Sequence, residues 1–67
     1  MITVKINDSN KTFKTECNLI RMIEELNIQS NGIAIAVNNS IVKKSDWSNH
    51  KLSENDDVLI IKSTQGG

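Results

Sequence analysis

The sequence predicts an α+β fold, in which a mixed β-sheet carries one main α-helix packed on one face. Three observations lead to this fold class. Several short segments alternate apolar and polar residues or are apolar throughout, as strands do, and only one segment has the apolar spacing of a helix. The chain has 67 residues, which suffice for one small domain. Such a domain has no room for a deeply buried cofactor. The predicted element order is β-β-α-β-β-β.

The first two strands are predicted to form a hairpin. Ile2, Val4 and Ile6 are apolar and alternate with polar residues, which indicates a half-buried strand. Residues 8–10 have the composition of a turn. A second short strand is expected over residues 11–15, with Phe13 pointing into the core.

The helix is predicted over about residues 18–27. Asn18 is a suitable N-cap, because its side chain can accept a hydrogen bond from the first helical turn. The apolar residues that follow recur at the spacing of one helix face, and they are Leu19, Met22, Ile23 and Leu26. No second helix is expected.

The C-terminal half is predicted to contribute three more strands. Residues 33–37 place large apolar side chains on one face and alanines on the other, and residues 41–42 form a short strand after a turn. The polar segment 43–52 is expected to be irregular and anchored by Trp47 and Leu52. Trp47 is expected to plug the core beneath this segment.

The last predicted strand, residues 58–61, is apolar at every position, which is typical of a central strand covered on both faces. We expect it to lie beside the first strand. If its other residues face the helix, Leu59 and Ile61 face away from it. Two interpretations stay open: these two side chains form a docking surface for a partner, or segment 43–52 covers them.

Composition argues against several classes of function. Eight basic and eight acidic residues give a net charge of zero, and Phe13 and Trp47 are the only aromatic residues. A nucleic-acid partner is therefore not expected. The longest apolar run is residues 33–37, too short for a membrane span. We expect a cytoplasmic protein, because Cys17 has no partner for a disulfide and the first residues do not resemble a signal peptide.

Few side chains suggest chemistry. Cys17 precedes the helix and is expected to be a small core residue, with a reactive thiol as the alternative. His50 is expected to be a solvated loop residue, and no metal site is predicted. The adjacent Asp56 and Asp57 are expected to be turn residues.

The most informative feature is the final pair of glycines, Gly66 and Gly67. Without side chains, this ending can enter a slot too narrow for a Cβ atom, and it can adopt the path that a partner imposes. We expect a β-sheet domain over residues 1–63 and a flexible tail over residues 64–67 that presents the Gly67 carboxylate.

The element order and several short motifs together resemble the ThiS family of ubiquitin-like β-grasp sulfur carriers. The resemblance spans the whole chain and is most specific in its C-terminal half. The matching residues are Ala34-Ile35-Ala36-Val37-Asn38, Ile41-Val42, Trp47, Leu52, Asp56-Asp57-Val58 and Gly66-Gly67. Two positions depart from the family pattern. Lys43 stands where proline is common, which puts the shape of that loop in question. Asn55 stands where glycine is usual, and asparagine tolerates the left-handed backbone that glycine would supply there.

The resemblance implies a substrate of other enzymes rather than an enzyme. Gly67 would be the modified residue, and Gly66 and Gln65 would be recognised as part of the tail. An E1-like adenylating enzyme (ThiF-like) would use MgATP to activate the carboxylate, so the carrier would need no cofactor of its own. A cysteine desulfurase system would supply sulfur, and thiazole synthase (ThiG-like) would receive it for thiamine biosynthesis.

Other functions fit the same fold and ending. The chain resembles, less closely, the small subunit of molybdopterin synthase, which is also a sulfur carrier. A ubiquitin-like modifier attached to lysines through Gly67 is a second alternative. A plain interaction module with an inert tail is a third.

Overall fold

A computed structural model describes residues 1–62 of the chain. Within this range it contains five strands, one α-helix and one 3₁₀ helix. In chain order the elements are β1 (Ile2–Ile6), β2 (Ser9–Phe13), α1 (Leu19–Glu25), β3 (Ile33–Val37), β4 (Ser40–Val42), the 3₁₀ helix (Lys44–Asn49) and β5 (Asp57–Lys62). The predicted order of strands and α-helix is confirmed. The prediction of one main α-helix is also confirmed, whereas part of the segment expected to be irregular forms the 3₁₀ helix.

The five strands form one mixed sheet in the order β2-β1-β5-β3-β4. β5 is the central strand, parallel to β1 and antiparallel to β3. The prediction that the first and last strands lie side by side is therefore confirmed. The last strand to be synthesised thus completes the middle of the sheet, and it leads directly to the C-terminal residues.

The first hairpin is tighter than predicted. β2 covers residues 9–13 rather than 11–15, and the loop consists of Asn7 and Asp8 alone. Both loop residues have positive φ, 47° and 71°, as a two-residue type I′ turn requires. Asparagine and aspartate tolerate this conformation, and Asn38 and Asn39 repeat it between β3 and β4, at 51° and 71°.

Capping sets the two ends of α1. The Asn18 side chain accepts a hydrogen bond from the Arg21 backbone N–H at 2.8 Å, which confirms the predicted N-cap. The helix stops earlier than predicted because Asn27 adopts a left-handed φ of 60°. The Ile28 N–H then bonds to the carbonyl of Ile23 at 3.1 Å, the long bond of a Schellman cap.

The core fills the space between α1 and one face of the sheet. Leu26, predicted to be buried, is only partly buried because it lies past the end of the helix. Trp47 and Leu52 are buried and anchor the segment after β4, as predicted. The buried cluster consists of Val4, Ile6, Phe13, Cys17, Leu19, Met22, Ile23, Ile35, Val37, Trp47, Leu52, Val58 and Ile60.

The two departures from the family pattern are accommodated by backbone geometry. Asn55 has a φ of 70° and is the third residue of a turn, which the Asp56 N–H closes onto the carbonyl of Ser53 at 3.1 Å. Lys43 has a φ of −63°, close to the value that a proline ring imposes. The loop after β4 therefore has a backbone that proline would also fit.

In the part of the chain that the structure describes, no helix is long and apolar enough to cross a membrane.

The turn at Asn55 gives a test of this backbone account. We expect Asn55→Ala to lower the free energy of unfolding by about 1–2 kcal/mol, because alanine is strained at positive φ. Asn55→Gly should be neutral or stabilising. Urea denaturation measures both variants. Asn31→Ala is the matched control, since Asn31 lies in an exposed turn without positive φ. An equal loss in Asn31→Ala and Asn55→Ala would contradict the account.

Candidate functional site: the open sheet face and the end of β5

The face of the sheet opposite α1 carries Leu59 and Ile61, for which the sequence allows either a docking surface or a covered position. Leu59 is 49% exposed and Ile61 is 44% exposed. The pattern of a strand covered on both faces was therefore misleading. Val58 and Ile60 face the core, whereas the alternate residues of β5 face outward.

Segment 43–52 does not cover Leu59 and Ile61, because it packs on the other side of the sheet. Its 3₁₀ helix lies beside α1. The Trp47 ring enters the core, and its indole N–H donates a hydrogen bond to the Val42 carbonyl at 2.9 Å. That bond satisfies the one polar group of the buried ring. Lys44 lies over the same ring, with its Nζ 5.9 Å from the ring centre.

The strand register assembles a continuous apolar surface on the open face. Ala36 lies opposite Leu59 and also opposite Ile41, and Ala34 lies opposite Ile61. Ala36 is buried and Ala34 is half-buried, so the exposed apolar area of this face comes mostly from Ile41, Leu59 and Ile61. We call these five residues, Ala34, Ala36, Ile41, Leu59 and Ile61, the open-face patch.

Ile41 is the member of this patch that the sequence analysis did not single out. It is 64% exposed, more than either Leu59 or Ile61. Its signal was present in the sequence, because Ile41 and Val42 are adjacent in one strand and cannot both face the core. Val42 packs against the core, so Ile41 is the residue that faces outward.

Charged residues border the patch where β5 begins. Asp57 points to the same face as Leu59, and it lies opposite Lys5 of β1. An apolar centre with a polar border is the usual anatomy of a protein–protein interface. The open face is therefore suited to contact another protein.

The last strand ends next to this patch. β5 ends at Lys62, one residue beyond Ile61 of the patch. The expected tail, residues 64–67, lies outside the described residues, and so do Gln65, Gly66 and Gly67, which are expected to carry the chemistry. The structure therefore places the last described residue, Lys62, beside the open-face patch.

Cys17 is part of the core. Its Sγ lies 3.4 Å from the Asn18 carbonyl, and its own carbonyl accepts a hydrogen bond from the Leu52 N–H at 2.8 Å. Burial raises the pKa of the thiol above its usual value. The Glu25 carboxylate raises this pKa further, against an opposing effect of Arg21. The neutral thiol is thus favoured, which agrees with the expected core role.

The remaining polar candidates have structural roles. The Asp56 carboxylate accepts hydrogen bonds from the Ser53 N–H at 2.8 Å and from the Asn38 side chain at 3.0 Å. It closes the turn before β5, as expected for a turn residue, whereas the same expectation for Asp57 was wrong because Asp57 pairs with Lys5 as the first residue of β5. The carbonyl of His50 accepts a hydrogen bond from the Leu19 N–H at 3.1 Å, which ties the loop to the start of α1.

The sheet order, the single α-helix across one face and the apolar open face define a ubiquitin-like β-grasp domain. A crystal structure of thiamine biosynthesis protein ThiS from Geobacter metallireducens has the same fold. It matches with a TM-score of 0.86 over 98% of this chain and 100% of that chain, at 14% sequence identity.

Sequence comparison identifies the family. The model of the ThiS family matches residues 4–67, so the chain belongs to the ThiS family. The sulfur carrier protein ThiS of Escherichia coli (strain K12) is 30% identical over 46 residues, which cover 69% of this chain and 70% of that protein. The resemblance inferred from the sequence is confirmed. The matched range includes Gly66 and Gly67.

The environment of Cys17 predicts low reactivity of its thiol. Because the thiolate is the reactive form and the pKa is raised, we expect alkylation of the folded protein near neutral pH to be much slower than in urea. Timed alkylation followed by mass spectrometry tests this expectation. Equal rates in the folded and unfolded protein would contradict it.

Proposed function

We propose that this protein is a sulfur carrier whose C-terminal Gly67 is the site of modification. The observation that carries the proposal is that the ThiS family match extends through Gly66 and Gly67. The E. coli relative is named a sulfur carrier protein, and the Geobacter protein is named a thiamine biosynthesis protein. We assign the same role to this chain, with the sulfur used to form the thiazole ring of thiamine.

In the proposed chemistry, the carboxylate of Gly67 is first activated. A carboxylate is a poor electrophile, because its charge repels nucleophiles. Attack of one carboxylate oxygen on the α-phosphorus of ATP releases pyrophosphate and gives an acyl-adenylate. A sulfur nucleophile then attacks the acyl carbon, and the bond to AMP breaks. With a persulfide as the nucleophile the product is an acyl disulfide, and a second thiol then attacks the donor's sulfur, so that the S–S bond breaks, the two thiols end as a disulfide and Gly67 ends in a thiocarboxylate.

The carrier itself needs no catalytic group for these steps. An E1-like adenylating enzyme provides the MgATP site, a cysteine desulfurase system provides sulfur, and thiazole synthase accepts it. We place these reactions in the cytoplasm, where ATP is available. The carrier's task is to bind each partner and to place one terminal group in the partner's active site.

The open-face patch is the surface that we assign to partner binding. Two of its exposed apolar side chains, Leu59 and Ile61, lie on β5, the strand that leads to the C-terminal residues. Partner binding and delivery of the C-terminus would therefore involve the same strand. Five residues follow Lys62, and an extended segment of that length reaches about 17 Å. A tail of this length, ending in two glycines, can enter a narrow active site while the folded domain stays outside.

A first prediction tests the terminal carboxylate. Adding one alanine after Gly67 moves the carboxylate by about 3.5 Å, far outside the tolerance of a reacting geometry. The extended protein should fold normally but release no pyrophosphate with MgATP and its adenylating enzyme. Cys17→Ser is the control and should stay active. An active extended protein, or an inactive but folded Cys17→Ser protein, would overturn the assignment of Gly67.

A second prediction tests the docking surface. Leu59→Lys places a charge in the patch and should raise the KM for the carrier about tenfold, as expected when a central interface residue is lost. The matched control is Thr12→Lys, which adds the same charge on the same sheet face. Thr12 is exposed on β2, two strands from β5 and hence about 10 Å away. Equal KM values for the two variants would exclude the patch from docking.

A further inference from the structure

The last hydrogen bond between β1 and β5 is unusual. In the regular part, the Lys5 N–H donates to the Asp56 carbonyl at 2.9 Å, and the Asn7 N–H donates to the Val58 carbonyl at 3.0 Å. The next bond of a parallel ladder would join the Ile60 N–H to the backbone carbonyl of Asn7. At Asn7, however, the chain turns into the hairpin with a φ of 47°.

The Asn7 side chain accepts the hydrogen bond that the Asn7 backbone carbonyl would accept in a regular ladder. Its Oδ1 accepts a hydrogen bond from the Ile60 N–H at 2.8 Å, and its Nδ2 donates to the Ile60 carbonyl at 3.3 Å. One carboxamide thus bonds both backbone polar groups of Ile60 on this edge of β5. The hydrogen bonding along this edge of β5 therefore extends to Ile60, beyond the point where the β1 backbone turns away.

This side-chain contact lies close to the start of the tail. Ile60 is two residues before Lys62, where β5 ends. On its other edge, β5 pairs with β3 as far as Ile33 opposite Lys62. Asn7 therefore holds the final residues of β5 from one side while β3 holds them from the other.

We propose that Asn7 is a positioning residue for the C-terminal tail. By fixing Ile60 on the β1 side, its carboxamide sets the position of the last residues of β5, from which the chain continues to Gly67. When a docked partner holds the tail fully extended, a displacement at its base is passed on to the terminal carboxylate, and reaction rates are sensitive to shifts of about 1 Å. This inference rests on the proposed function.

Asn38 offers a matched comparison within the same chain. It is the first loop residue of the other hairpin and has a similar φ of 51°. Its side chain also makes two hydrogen bonds: it accepts from the N–H of Asp57, the first residue of β5, at 3.0 Å, and it donates to the Asp56 carboxylate just before the strand at 3.0 Å. These bonds hold the beginning of β5, at the opposite end of the strand from Lys62.

The experiment compares Asn7→Gly with Asn38→Gly. Glycine keeps the positive φ and removes the carboxamide in both variants. Hydrogen exchange is measured at the Ile60 amide and at the core amides of Val4 and Ile35. Steady-state pyrophosphate release is measured with MgATP and the adenylating enzyme, over a range of carrier concentrations.

We expect exchange at the Ile60 amide to rise about tenfold in Asn7→Gly beyond any change at the core amides, as for the loss of one hydrogen bond. The kcat should fall by about tenfold to a hundredfold, with little change in KM, because the open-face patch is intact. Asn38→Gly should keep the wild-type kcat.

Three results would overturn the proposal. A kcat of Asn7→Gly equal to that of Asn38→Gly would remove the positioning role. A uniform rise in exchange at all amides would make Asn7 a residue of general stability only. If the wild-type carrier releases no pyrophosphate with the enzyme, the proposed function fails and the positioning role fails with it.

Discussion

The central strand of this sheet has to be held on both edges, and this constraint organises the structure. β5 lies between β1 and β3, and its core-facing residues Val58 and Ile60 pack with the helix. Its neighbours both turn away into hairpins after an asparagine. At each of these turns the asparagine side chain forms the hydrogen bonds with β5 that the departing backbone cannot form.

The division between the two sheet faces follows from the size of the domain. Within residues 1–62, one short α-helix and a 3₁₀ helix cover one face of a five-stranded sheet. The 3₁₀ helix adds Trp47 to that same side instead of shielding the other. Apolar residues on the open face therefore stay exposed, and a small domain retains them at a cost in solubility unless a partner covers them.

Much of the fold could be predicted from the sequence because local signals agreed with the final structure. The alternation in β1, the Asn18 cap and the anchors Trp47 and Leu52 all have local causes. The boundaries of β2 were missed because residues 8–10 suggested a longer turn, whereas two residues with positive φ suffice. The 3₁₀ helix was missed because its polar sequence has no clear apolar period.

The site was only partly predictable, for a different reason. The terminal glycines are visible in the sequence, and the outward orientation of Leu59 and Ile61 follows from strand alternation. Whether another segment covers them depends on the path of the chain between β4 and β5. The contributions of Ile41 and Asn7 depend on strand register. The register places Ile41 beside Ala36 of β3, and it places Asn7 where its side chain bonds to Ile60 of β5.

The most direct test of the account is the intact mass of the protein isolated from its own cells. We expect a fraction of the molecules to be heavier by the difference between one sulfur and one oxygen atom, with fragmentation placing the change at Gly67. Protein that carries only an unmodified carboxylate, or that is joined through Gly67 to lysines of other proteins, would contradict the claim that this domain carries sulfur.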